Sequence, residues 1–428
     1  MSMDSLSHTD LFDRLEHFLV RWFPIWGERP FHTWPPSWAS RFPNLAQALF
    51  DLDQKISVTE YQETRGLTLE KQVNLNWVRH LEPNLEELFL LHNEIQNLFP
   101  SPSCSYVSSS LQSYLNRYPY DFDGVKHRKQ NQVKALLSTL STPPSSFLEW
   151  CGGKGHLATL LSGYWQRQGG CLELDPKLTQ AGQDRLHSRP HCDLTYYTCD
   201  ALSPQALDIL SLYPHVIALH ACGPLHRRLI ENAHLEHLKA ITLIPCCYCL
   251  DHTPTTLQNR EYPFPIDEHT LKLATLQRVI VSPRRDSLRI RSMALRLAFS
   301  QLHAHYLPQL THSTPSTLPS LGRHLLRQSS QDVWLTFAQK LNLPHSFQDT
   351  LKNLTITQVQ RYEQHGWEAL KARSPFEHLR HLFRLPLEMW LILDRALALE
   401  GKGYTVSIDR FCPIEISPRH FRITALKS

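Results

Sequence analysis

The chain has 428 residues, of which 44 are basic and 40 acidic, for a net charge of +4 with histidine neutral. That length exceeds one minimal core and allows two or three domains; the near balance of charge excludes the basic excess of a histone-like or ribosomal nucleic-acid binder. Apolar residues at 42% exclude wholesale disorder, and glycine is scarce: there are 15, against 29 prolines, and six of them fall between Gly152 and Gly170.

Residues 1–100 read as a helical N-terminal region. Leu11 to Trp22 and Asn84 to Leu98 carry apolar residues at helical spacing, and the Trp/Pro-rich stretch from Trp22 to Trp38 between them is irregular. Residues 101–145 comprise a serine-rich linker and then a helix that opens on Lys126-His127-Arg128-Lys129 and reaches about Leu140. From 146 to 252, short apolar runs alternate with amphipathic stretches, the pattern of βαβ units in a parallel sheet. Strands are expected at Ser146–Trp150, Gly170–Leu174, Thr195–Thr198, His215–His220 and Ala240–Ile244, with helices after the first, second and fourth. Residues 253–398 form a large helical insertion with a polar break near His312 to Ser320. The closing segment, 399–428, alternates from Gly403 to Ile408, turns near Pro418 and alternates back from His420 to Ala425. It reads as a β-hairpin that completes the sheet.

The sequence shows no basic segment followed by an apolar one at its start, and no apolar run near the roughly 20 residues of a membrane span. Its ten cysteines are therefore expected to be free thiols in a reducing compartment, the cytoplasm, with no membrane partner.

The glycine cluster reads Phe147-Leu148-Glu149-Trp150-Cys151-Gly152-Gly153-Lys154-Gly155-His156, after a strand and before a helix. No Ser or Thr follows the lysine, so it is not a GxxxxGK[ST] phosphate loop, and it does not keep the GxGxxG spacing. An acid followed by a tight glycine loop instead resembles the nucleoside-binding loop of class I S-adenosylmethionine (SAM)-dependent methyltransferases. Glycine allows close approach of backbone to a ligand, and a carboxylate at Glu149 can face the cationic sulfonium and ammonium groups. About 20 residues on, Glu173 ends the second strand where an acid can accept from ribose hydroxyls, while Asp175 suits a helix cap. Asp200-Ala201 follows the third strand, where such enzymes hold the adenine amino group.

Strand four ends His220-Ala221-Cys222-Gly223 and strand five ends Cys246-Cys247-Tyr248-Cys249. Residues past the carboxyl ends of parallel strands line the ligand crevice. These motifs resemble the methyltransferase-like group that includes the glutathione S-transferase C-terminal-domain-containing protein of animals, and are similar to those of the tRNA ribose 2′-O-methyltransferases. The likeness spans about Ser146 to Leu250 and a Ser417-Pro418-Arg419 turn. It implies a Rossmann-like, seven-stranded α/β methyltransferase sheet, SAM as cofactor, and cofactor contacts from Glu149, Cys151, Gly152, Gly153, Gly155, Glu173, Asp200, Ala201 and His220. It departs from the tRNA enzymes at Tyr248 and Cys249, where they carry histidines, and at Pro224-Leu225-His226.

For catalysis the candidates are His220 as the base that removes the acceptor proton, Tyr248 as orienter or weak base, and Cys222 as nucleophile. The cysteines can equally pack round the cofactor or shape the substrate site. Cys246 and Cys247 would point to opposite faces if extended, and no CxxC pair occurs there, so no metal is expected. His303-Ala304-His305 reads as a solvated helix end. Substrate contacts are assigned to Lys126, Arg128 and Lys129, facing phosphates of an RNA rather than DNA. Arg284, Arg285, Arg289 and Arg291 form a second basic stretch, either phosphate contacts or a solvated helix face. Trp22, Trp26, Trp34 and Trp38 either stack on bases or pack the irregular segment. The insertion is the expected substrate-recognition module. The expected activity is methylation of RNA, tRNA or rRNA, at oxygen or nitrogen. A small-molecule or protein side-chain acceptor, or a non-catalytic SAM-fold binding protein, are the other readings.

Overall fold

The computed structural model describes residues 7–102, 107–140, 145–253, 255–276, 282–310 and 317–427. Parts of the expected linker (103–106) and of the polar break in the insertion (311–316) lie outside these residues. By compactness the chain divides into two units. One comprises Met1–Val20, Leu91–Val279 and Arg384–Ser428; the other comprises Arg21–Leu90 and Ile280–Phe383. The N-terminal hundred residues and the insertion read from the sequence each contribute to both, because helices distant in sequence share one core.

The first unit is built on seven strands: β1 (Phe147–Trp150), β2 (Gly169–Glu173), β3 (Leu194–Thr198), β4 (His215–Cys222), β5 (Ala240–Cys246), β6 (Thr405–Arg410) and β7 (Phe421–Leu426). Their spatial order is β3-β2-β1-β4-β5-β7-β6. The first five are parallel, and β7 runs antiparallel between β5 and β6. Each expected strand is present within two residues of its reading, and the closing hairpin does join the sheet. This is the Rossmann-like methyltransferase arrangement. The central strands read as unbroken apolar runs because both faces are covered: every residue of β1 is buried.

Six helices of this unit bear on the site. They are α1 (His127–Thr139), α2 (His156–Trp165), α3 (Pro176–Leu186), α4 (Gln205–Leu210), α5 (Pro224–Glu231) and α6 (Arg384–Glu400). The expectation of helices after strands one, two and four holds; α4, after β3, was not anticipated. Val133, Leu136 and Leu137 of α1 join Leu157, Leu160 and Leu161 of α2, with Phe147, Ile217 and Ile244 of the strands, in one core. Asp175 caps α3 by accepting from the Lys177 N–H at 2.8 Å, as read from the sequence.

The second unit packs helices round Trp334, Phe299, Phe337 and Phe347. Trp22, Trp26 and Trp38 are buried, and Trp34 packs its ring on Phe376 at 5.1 Å, so of the two readings for the tryptophans the packing one fits. One reading needs correction: His303 is not solvated but lies buried near Phe347. In the second basic stretch, Arg289 pairs with Asp286 at 3.1 Å, and Arg291 donates to the Leu326 and Gln328 carbonyls.

Candidate active site

The loop between β1 and α2 owes its shape to three glycines used differently. A Cβ at Gly152 would lie 2.6 Å from Cys171 Sγ and 2.7 Å from Glu149 Cδ, so only glycine lets the carboxylate tuck beneath the loop. Gly155 has φ +63°, and a Cβ there would lie 2.5 Å from the Tyr196 hydroxyl. Gly153 has the same φ but nothing within 4 Å of its missing Cβ. Its open side is where a ligand can approach the backbone.

The acids sit round this loop. Glu149 is buried and accepts from the Ala158 N–H, in the first turn of α2, at 2.8 Å. Burial pushes its pKa up to about 7, against the pull of Lys129 and that hydrogen bond. Its carboxylate therefore braces the loop from beneath. Glu173 accepts from the Gly153 N–H at 2.9 Å and from the Asp175 N–H at 3.1 Å. Asp200 is exposed and accepts from the Leu202 N–H at 2.9 Å, with Ala201 buried beside it. Burial raises the Cys151 thiol, and Glu173, Cys222, Asp200 and Glu149 all add to the rise. Cys151 thus lies near the loop acids and the end of β4, at the carboxyl ends of the parallel strands where a ligand crevice is expected. The set fits a nucleoside cofactor: two acids with spare lone pairs beside an open glycine backbone.

The ends of β4 and β5 are irregular. Between Leu219 and Cys222 the register with β5 shifts, so that Leu219 pairs with Ile244 and Cys222 with Cys246. Three steps on β4 match two on β5, a bulge. His220 takes up the extra residue at φ 68°, and Gly223 follows at φ 53° with no room for a Cβ beside Leu250. His220 Nε2 donates to Gln132 Oε1 at 2.9 Å; the Gln132 amide donates to Ser417 Oγ at 3.0 Å, which accepts from the Arg419 N–H at 3.1 Å. The bond to Gln132 puts the imidazole proton on Nε2 and leaves the Nδ1 lone pair free. Burial, with Lys129, Arg419 and Arg128 nearby, pushes the His220 pKa down to about 4. The side chain is neutral at pH 7 and able to take a proton.

Gln132, which bonds the candidate base, is a residue that the sequence reading missed. Its signal was a polar residue, beside Val133 and in line with Leu136, on the buried face of α1. Ser417 and Arg419 were visible only as the turn in the hairpin.

Tyr248 requires correction. It lies 1% exposed, edge-on to His226 at 6.0 Å, with the Arg395 guanidinium 4.8 Å from its ring centroid. Its hydroxyl has no hydrogen-bond partner among the described residues, and burial raises its pKa further. A phenol buried and held neutral between His226 and Arg395 neither accepts the acceptor's proton nor orients it. Cys222 is half-buried, its Sγ 3.1 Å from that of Cys246. The opposite-face expectation for Cys246 and Cys247 also fails. Cys247 turns to φ 48°, and the sulfurs of Cys222, Cys246 and Cys247 lie within 4.8 Å of one another. Hydrogen bonding to Cys246 holds the Cys247 thiol down, while bonding to Cys222 first, and then to Cys247, pushes the Cys246 thiol up.

Lys126 immediately precedes α1, and Lys126, Arg128 and Lys129 are all exposed. Arg128 donates to the Ile416 carbonyl at 3.1 Å. Lys129 acts electrostatically on both Glu149 and His220, so the first turn of α1 belongs to the same crevice.

Comparison with known families agrees with the sheet order and the acid-lined crevice. Residues 125–250 match a family described as a methyltransferase domain. The match begins just before α1 and ends just past β5, taking in every crevice residue except those of the closing hairpin. This domain supports a methyltransferase, a class of enzyme that generally uses SAM. No curated protein matches the chain. Among the described residues, no helix is long and apolar enough to cross a membrane.

Proposed function

We propose that the protein is a SAM-dependent methyltransferase that modifies RNA at an oxygen or nitrogen atom. The observation that carries this reading is the exposed basic turn of Lys126, Arg128 and Lys129 at the start of α1, the helix whose Gln132 bonds His220 at the end of β4. An exposed cationic turn and a nucleoside crevice at one end of one sheet suit a polyanionic acceptor.

SAM, when bound, supplies an already activated methyl group on its sulfonium. The chain's own residues do the rest. Gly153 leaves its backbone open to the nucleoside, Glu173 accepts from ribose hydroxyls, and Asp200 with Ala201 receives the adenine. Lys126, Arg128 and Lys129 hold acceptor phosphates, so that alignment supplies most of the rate. His220 takes the acceptor proton on Nδ1, its ring fixed by Gln132 through Nε2. The site is assigned to the cytoplasm, where free thiols persist.

Isothermal calorimetry tests the cofactor assignment. SAM binds the wild-type chain with a one-to-one heat signal that Glu173→Ala weakens by at least about tenfold, or 1.4 kcal/mol. Absence of SAM binding to a folded chain, or binding untouched by Glu173→Ala, removes the assignment.

A further inference from the structure

We propose that Cys222, Cys246 and Cys247 form a zinc site at the ends of β4 and β5. Their three sulfurs lie within 4.8 Å of one another, with Cys222 and Cys246 at 3.1 Å. Zinc–thiolate bonds of about 2.3 Å in tetrahedral geometry space the sulfurs about 3.8 Å apart. The Cys222–Cys246 pair lies below that value and no pair exceeds 4.8 Å, so side-chain shifts of about an ångström suffice to close round a metal.

The backbone gives an independent reason to treat the cluster as built. In extended strands, neighbouring side chains alternate between faces, and two adjacent cysteines cannot share a ligand. Here Cys247 leaves the strand at φ 48°, returning its sulfur to the side of Cys246. On the partner strand, the bulge at His220, φ 68°, brings Cys222 opposite Cys246. Cys247 and His220 are both non-glycine residues in the left-handed region, a strained backbone that persists only where the surroundings impose it. Both distortions act to converge the thiols.

The surroundings suit a soft cation. The thiols' other hydrogen-bond partners are backbone carbonyls, from Cys222 to His220 at 3.3 Å and from Cys246 to Ala221 at 3.9 Å, and these are weak bonds. The cluster contains three thiols and no carboxylate, which selects zinc over magnesium or calcium. Three thiolates round Zn²⁺ leave one negative charge, and the Arg419 guanidinium lies near Cys247 to balance it. Neither His220 nor Cys249 joins the cluster. Three protein ligands leave a fourth position for an exchangeable group, and Cys222 and Cys247 are only half-buried. Resting on the methyltransferase reading, that group is the acceptor heteroatom, which the metal would polarise so that its proton leaves more readily.

A second cluster, Asp121, His191 and Cys192, has comparable spacing. Its carboxylate is already taken by Arg189 at 3.1 Å, by the Tyr114 hydroxyl and by His191 at 3.1 Å. It serves as the control.

The test uses the full chain, stripped with a chelator under reductant and titrated with cobalt(II), then zinc(II), without cofactor or substrate. The expected result is saturation at one equivalent, with near-ultraviolet thiolate-to-cobalt charge-transfer absorption and tetrahedral visible bands that zinc displaces. Cys222→Ser and Cys247→Ser, each shown folded by circular dichroism, weaken zinc binding at least about tenfold, whereas Cys192→Ser does not. A folded chain with no thiolate band overturns the proposal. So does undiminished binding in both serine variants, loss of binding only in Cys192→Ser, or a Cys222–Cys246 disulfide in the reductant-purified chain. Because the titration involves no SAM, it can fail while calorimetric SAM binding persists, and the reverse.

Discussion

Half-buried His220 and buried Glu149 are titratable groups near one end of the sheet, and their pKa values move in opposite directions for the same reason. Burial disfavours the charged form of each, taking the imidazole down to about 4 and the carboxyl up to about 7. If His220 is the base, its neutral form persists well below the pH at which a free imidazole protonates. The acid limb of kcat/KM is then expected near pH 4 rather than near 6.5, and His220→Asn should remove it while lowering kcat by about 10²–10⁴. A limb left unchanged by that substitution would transfer the role elsewhere. Stability follows the same signs. For His220 the unfolded chain binds the proton first, so stability falls as pH drops from about 6.5 to about 4. For Glu149 the folded chain binds the proton more tightly, so its contribution is fully present below about 4.5 and lost as pH rises through about 7. Glu149→Gln should therefore melt progressively higher than wild type from pH 5 to 8. The gain is bounded at about 3 kcal/mol, and thermal melts across that range check it.

At the scale of elements, the glycine loop and the bulged strand ends hold the site. Gly152→Ala and Gly153→Ala should separate folding from binding. The first drives a methyl group into Cys171 and Glu149 and should cost about 1–3 kcal/mol in denaturant unfolding. The second meets open space at φ +63°; it should cost about 1–2 kcal/mol of strain and also weaken SAM binding in calorimetry. These elements differ in how far the sequence revealed them. The five parallel strands were legible because apolar runs buried on both faces stand out between amphipathic helices, and the closing hairpin because its residues alternate. Glu173, Asp200 and the loop were legible because they fall at strand ends in order. The convergence of Cys246 and Cys247 was not, since face alternation assumes extended backbone and nothing in Cys-Cys announces a left-handed turn. Tyr248 was misread for the related reason that a residue just past a strand end was taken to face the crevice, whereas the short turn Tyr248–Leu250 carries it inward against His226. The tryptophans left two readings open because stacking on a base and packing on Phe376 require the same residue type.

For the whole molecule, the net charge of +4 is too small to bind nucleic acid without a local concentration of cations. The first turn of α1 supplies one beside the crevice. Replacing Lys126, Arg128 and Lys129 together with glutamine should weaken RNA binding and make the salt dependence shallower by about two to three counterions. Filter binding across a salt series measures it, and an unchanged slope would place the RNA elsewhere. Transfer of a methyl group from SAM to RNA is read out by incubating the purified chain with methyl-tritiated SAM and total RNA from cells deleted for this protein. Label is expected in RNA with the wild-type chain, and is expected to be lost with His220→Asn. Persistent absence of RNA label, with counts in small molecules or protein instead, would contradict transfer to RNA.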